Sequence, residues 1–157
     1  MKKNLIMCFL VLVITSSRQA FSQTAKYIKQ YTRLADSLSK VYSIPKNVIL
    51  AIAVVESSSG ATRVGNLLNN HFGIVGRNNL KQTHQIKTRY KQYPDAVASF
   101  KDFCVTITRK EFYPVLHSKG IGDYKEWVKA ISEVGYSTLP GVWVQRVSSV
   151  IHNYKLD

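Results

Sequence analysis

Acidic residues are scarce in this chain, and cysteine, proline and glycine are scarcer. Only 9 Asp and Glu face 22 Lys and Arg over 157 residues, a formal net charge of +13. That balance excludes an acidic partner-mimic and points to an anionic partner. Of the two cysteines, Cys8 lies in the N-terminal apolar stretch. Cys104 is then left alone, which excludes an intrachain disulfide in the rest of the chain. Cys104 falls on an apolar helical face and reads as core rather than nucleophile. The four prolines and eight glycines do not gather into a linker, so the chain reads as one domain of a size that can bury a core. No internal repeat or low-complexity segment is present. His71, His84, His117 and His152 are scattered without ligand spacing, so no metal and no cofactor is expected.

What the N-terminus does have is an export signature. Met1-Lys2-Lys3 is a basic start, Leu5 to Ile14 is an apolar stretch, and Ala20-Phe21-Ser22 ends in small residues. Residues 1–22 therefore read as a signal peptide cleaved after Ser22, with a mature domain over 23–157. The apolar stretch is short for a membrane anchor. Leu5-Ile6-Met7-Cys8 lacks a small residue before the cysteine, so it is not read as a lipidation site. Removing Lys2, Lys3 and Arg18 leaves 19 basic and 9 acidic residues, or +10. Export argues against nucleic acid and for an anionic surface such as the bacterial cell wall. The expected location is periplasmic, or secreted and wall-associated, with no stable membrane insertion after cleavage.

Glu56 stands out by isolation. It is the only carboxylate between Asp36 and Asp95, and it ends the apolar run Val48-Ile49-Leu50-Ala51-Ile52-Ala53-Val54-Val55. The run follows Pro45 and is too short to span a bilayer, so it reads as a buried helix. A carboxylate at the C-terminal end of a helix meets the negative end of the macrodipole, a cost of roughly 0.3–1 kcal/mol to its charge. Apolar neighbours push the same way, so its pKa is expected to rise. A carboxyl that stays protonated near neutral pH is suited to general-acid work.

The remaining pattern is mainly helical. Tyr27, Ile28, Tyr31, Leu34, Ala35, Leu38 and Val41 have helical spacing within Thr24 to Tyr42. A short helix over Thr62 to Leu68 precedes the turn-rich Asn69-Asn70-His71-Phe72-Gly73-Ile74. Arg77 to Tyr93 is polar and basic, and weak alternation at Ile86, Thr88 and Tyr90 predicts a small hairpin. Ala96, Val97, Phe100, Phe103, Cys104 and Ile107 predict a helix after Asp95. Asp123 with Glu126 predicts a capping box for the next. Trp143, Val147, Val150, Ile151 and Tyr154 predict the last. That makes about six helices.

Three segments carry a family pattern. They are Tyr42-Ser43-Ile44-Pro45 running into Leu50 to Ser57, then Asn69-Asn70-His71-Phe72-Gly73-Ile74, then Gly135-Tyr136-Ser137-Thr138-Leu139-Pro140. In this order the chain resembles the endo-β-N-acetylglucosaminidases of glycoside hydrolase family 73, which include flagellar and autolysin glucosaminidase domains. Tyr90-Lys91-Gln92-Tyr93 and the closing Val150 to Leu156 extend the likeness over almost all of the mature chain. The resemblance implies a lysozyme-like α fold with a small β-hairpin lobe beside the cleft. It also implies hydrolysis of the β-1,4 bond after N-acetylglucosamine in peptidoglycan. It makes Glu56 the general acid and Tyr136 an active-site tyrosine. Asn70, Phe72, Tyr93 and Gln85 become substrate-binding candidates. Turn-shaping by Asn70 and core packing by Phe72 or Tyr136 are the structural alternatives. Trp143 reads as core rather than as a sugar platform.

The chain departs from the family in one respect. Many members carry a second carboxylate in the β-lobe, but Arg77 to Pro94 holds none, and Gln85 is the nearest local match. Asp95 reads as a helix cap. The options are catalysis assisted by the substrate's own 2-acetamido group, a distant acid such as Glu133 or Asp123, or a wall-binding relative without activity. A lone His84 on a polar segment reads as solvated rather than as a base. A lytic transglycosylase is the enzymatic alternative, but its usual Gly-Leu-Met-Gln-Ile type segment is absent.

Overall fold

The structure, a computed structural model, describes residues 2–120 and 122–156, with side chains described from residue 19 onward. The signal segment expected at residues 1–22 lies largely outside the described side chains. Among the described residues eight α-helices follow in order, α1 (Lys2–Tyr42), α2 (Lys46–Ser57), α3 (Arg63–Leu68), α4 (Leu80–His84), α5 (Ala96–Thr108), α6 (Tyr113–Ser118), α7 (Tyr124–Ile131) and α8 (Pro140–Asn153). A π-turn, Ser132–Tyr136, joins α7 to α8. The fold is mainly α, as expected. Among the described residues, no helix is long and apolar enough to cross a membrane.

The core is built around α2. Every residue from Val48 to Val54 is buried, so this helix is apolar all round and must be surrounded. It packs chiefly against α1 and α8. From α5, Phe100, Phe103, Cys104 and Ile107 are all fully buried. Burial pushes the Cys104 thiol up to about 12, which suits a packing residue and not a nucleophile. Rings from several elements run in contact from α1 to the end of α2. Tyr31 stacks on Phe100 at 5.0 Å, Phe72 meets Phe100 edge-on at 4.8 Å and stacks on Phe103 at 4.2 Å. Tyr136 then meets Phe103 at 6.1 Å and Trp143 at 5.5 Å. Such contacts add roughly 0.5–1.5 kcal/mol each beyond area burial.

Two local expectations need correction. The hairpin over Arg77 to Tyr93 is not formed. Among the described residues the only β pairing is a single antiparallel bridge, Val75 with Tyr90. Between them lies α4, anchored by buried Leu80. Backbone bonds join the two arms only at their base, from Gly76 N–H to Arg89, Lys91 N–H to Ile74 and Gln92 N–H to Arg77, and side chains take over beyond it. The Asn78 amide donates to the carbonyls of Thr88 (3.1 Å) and Tyr90 (2.8 Å), while Asn79 N–H donates to Gln92 Oε1. The capping box is half made. Asp123 accepts from Lys125 N–H at 2.9 Å, but Glu126 turns away to Lys119 Nζ at 2.9 Å. Asp95 does cap α5, accepting from Ala98 N–H at 2.8 Å.

Candidate active site

Glu56 is the second-last residue of α2, and the chain leaves the helix just beyond it. Ser57 Oγ donates to the Ala53 carbonyl at 2.6 Å and accepts from Gly60 N–H at 2.9 Å. Ser58 turns into the left-handed region at φ 50°. These bonds terminate the helix and present the Glu56 carboxyl sideways. The carboxyl is half-buried.

Its two oxygens meet different surroundings. Oε1 accepts the indole Nε1–H of Trp143 at 2.7 Å. Oε2 lies beside Gly73. A Cβ at Gly73 would stand 3.4 Å from Oε2 and 3.9 Å from the Tyr90 ring, and its φ of +66° lies in the left-handed region that favours glycine. Gly73 thus keeps open a pocket of about 140 Å³ lined by Glu56, Thr62, Val64, Asn70, Gly73 and Tyr90. Burial raises the Glu56 pKa, while the Trp143 N–H and the positive charge of Arg146 pull it back. The direction is the one expected for an acid at the end of an apolar helix.

Asn70 shapes the opposite wall. Its amide donates to the carbonyls of Ile74 (2.9 Å) and Lys91 (2.8 Å). Its Oδ1 accepts from the N–H groups of Phe72 (3.3 Å) and Ile74 (3.2 Å). All of these partners are backbone, so Asn70 lines the pocket and at the same time ties the 70–74 loop to the strand-like segment at Lys91. Tyr136 is half-buried, with its hydroxyl donating to the Phe72 carbonyl at 2.8 Å. Burial, together with the nearby Glu56 charge, pushes its phenol well above the usual range.

The other sequence-derived candidates are dispersed. Phe72 is 1% exposed and stacked on Phe103, so it has no face left for a sugar. Tyr93 is 5% exposed, and its hydroxyl donates to Asp102 at 2.8 Å, beside the Lys91–Asp102 ion pair. Gln85 is the exposed left-handed residue that ends α4. It does not line the pocket. Neither do Glu133, paired with Lys129, Asp123, which caps α7, or His84, bonded to Thr83. Glu56 is the only carboxylate among the residues lining this pocket.

Two residues of the site escape a reading of the sequence alone. Trp143 sits on the apolar face of α8 and is 4% exposed, so periodicity assigns it to the core. Its ring is core, and its N–H is the site's donor. The one hint is that a buried indole needs an acceptor. Tyr90 is 38% exposed and lines the pocket, yet its segment shows only faint alternation.

The chain is similar to known proteins over most of its length. A family model described as mannosyl-glycoprotein endo-beta-N-acetylglucosaminidase matches residues 32–156. The exo-glucosaminidase LytG of Bacillus subtilis is 24% identical over 164 residues, covering 92% of this chain and 56% of that protein. The chain thus spans little more than half the length of that curated relative. The catalytic domain of the autolysin Auto from Listeria monocytogenes has a similar fold, with a TM-score of 0.68 at 20% identity over 85% of each chain. A glycoside hydrolase domain of Salmonella typhimurium FlgJ gives 0.64 at 19% identity, over 85% of this chain and 99% of that one. On the family match across most of its length, the chain belongs to the glucosaminidase family of glycoside hydrolases.

Proposed function

We propose that this chain is an exported peptidoglycan N-acetylglucosaminidase that cuts the β-1,4 bond after N-acetylglucosamine, with Glu56 as the general acid. The observation that carries this reading is the state of the Glu56 carboxyl. It is half-buried with a raised pKa, held through Oε1 by an indole N–H, and faces on its Oε2 side, beside Gly73, a pocket that it lines.

An indole N–H donates and cannot accept. The neutral carboxyl therefore presents its carbonyl oxygen, Oε1, to Trp143 and carries its proton on Oε2. That proton passes to the glycosidic oxygen as the C1–O bond breaks. Since no other carboxylate lines the pocket, the substrate's acetamido oxygen is the nucleophile that closes onto C1. Water then attacks C1, Glu56 takes its proton, and the acetamido group leaves. The acid is restored. Tyr136, beside Glu56 and tethered to the Phe72 carbonyl, orients the acetamido group or the water. The Tyr90 ring, half-exposed at the pocket, offers an apolar face to a sugar.

Mass spectrometry of digested wall tests bond choice and activity together. New reducing ends on N-acetylglucosamine are expected, and Glu56→Gln should lose about 10²–10⁴-fold in rate. Large fragments mark internal cleavage, and single sugars mark chain-end attack. Products ending in 1,6-anhydromuramic acid would make the chain a lytic transglycosylase. Wall binding without lysis would make it a glycan-binding domain. Export is read separately, by N-terminal sequencing of the mature protein for a start at Gln23.

A further inference from the structure

A second and larger cavity lies on the other flank of the same turn. Its volume is about 580 Å³, and it is formed by the α1 residues near Thr24, the end of α2, the turn at Ser58 and one face of α8. Glu56 lines the first pocket, whereas Val55 and Ser58 on either side of it line the second, and no residue lines both. The larger volume is in the range of ligand sites, roughly 300–1,000 Å³, while the Glu56 pocket is well below it. A polymeric substrate engaged at Glu56 has parts that the smaller pocket cannot hold.

The lining has a definite chemistry. Val54, Val55 and Val150 supply apolar wall, Ser58 and Ser149 supply hydroxyls, and Arg146 supplies a guanidinium. No Asp or Glu lines the cavity. Arg146 is exposed, and among the described residues it has no hydrogen-bond or ion-pair partner, although its charge is felt at Glu56. A planar guanidinium is matched to a carboxylate or phosphate, which it holds through two parallel N–H bonds. The cavity thus fits a ligand with an apolar body and one anionic group. Bare N-acetylglucosamine carries no such group, but the short peptides borne by the glycan's muramic acid units do.

We propose that this cavity receives a carboxylate-bearing peptide side chain of the glycan while Glu56 acts on the neighbouring bond, and that Arg146 binds that carboxylate. The proposal rests on the substrate reading above. Loss of residues up to Ser22 would remove only Ala20 from the lining.

The test compares kcat/KM on wall carrying its peptides with kcat/KM on the same wall whose peptide carboxylates have been converted to amides with a carbodiimide and ammonia, which leaves the peptide and its link to the lactyl group in place. Both walls are first treated with hydrofluoric acid to remove phosphate polymers. The unmodified protein should prefer the unamidated wall by roughly fivefold, the scale of a charge-assisted bond at a partly exposed site, expressed in KM. Arg146→Gln should bring that ratio close to one. Any effect Arg146 has through Glu56 falls on both walls and cancels in the ratio. Ser149→Trp, which fills the cavity at an exposed position without altering charge, should do the same. A ratio of one in the unmodified protein overturns the proposal, as does a preference that both variants keep. A preference present only before hydrofluoric acid treatment assigns the cavity to phosphate and overturns the peptide assignment. A calorimetric titration with a soluble muramyl peptide, and with the same compound amidated at its peptide carboxylates, separates this from the proposed activity. Carboxylate-dependent binding lost in Arg146→Gln supports the cavity even if no wall is cut. No carboxylate-dependent binding together with no lysis overturns both.

Discussion

Trp143 and Glu56 are 87 positions apart and meet at 2.7 Å. That bond works against burial. Burial favours the protonated acid, and the indole N–H favours the anion. Removing it with Trp143→Phe should raise the Glu56 pKa further. In its proposed role as general acid Glu56 works only while protonated, so activity is lost as pH rises through its pKa. The alkaline limb of the kcat profile should therefore move to higher pH, and kcat should fall because Oε1 is no longer held. An unmoved limb would remove Trp143 from this role. The sign for stability is parallel. A carboxyl whose folded pKa lies above its unfolded value binds its proton more tightly when folded, so its contribution declines as pH rises through that window. Trp143→Phe should steepen that decline in a pH series of urea melts. Asn70 makes a different kind of contribution. It is 5% exposed with all of its bonds to backbone. Asn70→Ala leaves two carbonyls and two N–H groups without it, and should cost about 2–4 kcal/mol in urea denaturation. Asn70→Asp keeps the acceptor and loses both donors, so it should not restore stability.

At the scale of elements, the long helices were legible and the polar excursion was not. The 3.6-residue spacing of Phe100, Phe103, Cys104 and Ile107 reports α5 directly, because those positions share one face and that face is buried. Residues 77–93 have no comparable face. Their conformation rests on a few backbone bonds at the base and on Asn78 reaching the carbonyls of Thr88 and Tyr90, a pairing between residues with no periodic relation. Asn78→Ala should leave global thermal stability almost unchanged, since the segment buries little beyond Leu80 and Tyr93. It should speed tryptic cleavage after Lys87 and Arg89, both exposed. Unchanged proteolysis would mean the bridge at Val75 and Tyr90 holds the segment unaided. The capping box stays half made for a related reason. Glu126 had a choice between a backbone N–H and the Lys119 ammonium, and only the packing of the α6–α7 turn puts that ammonium at 2.9 Å.

For the whole molecule, charge is the property that matters most. With 22 basic and 9 acidic residues, the proposed binding to an anionic wall should weaken as salt rises, as exposed charges are screened within about 8–10 Å at physiological ionic strength. Co-sedimentation of the Glu56→Gln protein with wall at increasing salt checks this apart from turnover, and salt-independent binding would shift the weight to apolar contacts in the two cavities.

Sequence alone determined that the fold is mainly helical, that α2 is buried on all sides, and that one isolated carboxylate ends it. These are consequences of local order, since periodicity, apolar content and the position of an acid along a helix are read within a dozen neighbouring residues. Tertiary structure alone decided which aromatic residues lie at Glu56. Phe72 and Tyr93 are turned into the core, while Trp143 reaches the Glu56 carboxyl and Tyr90 lines its pocket, both from segments far along the chain. Docking of α8 and the 75–91 segment against the end of α2 sets those contacts, and no local pattern encodes which side chain arrives there.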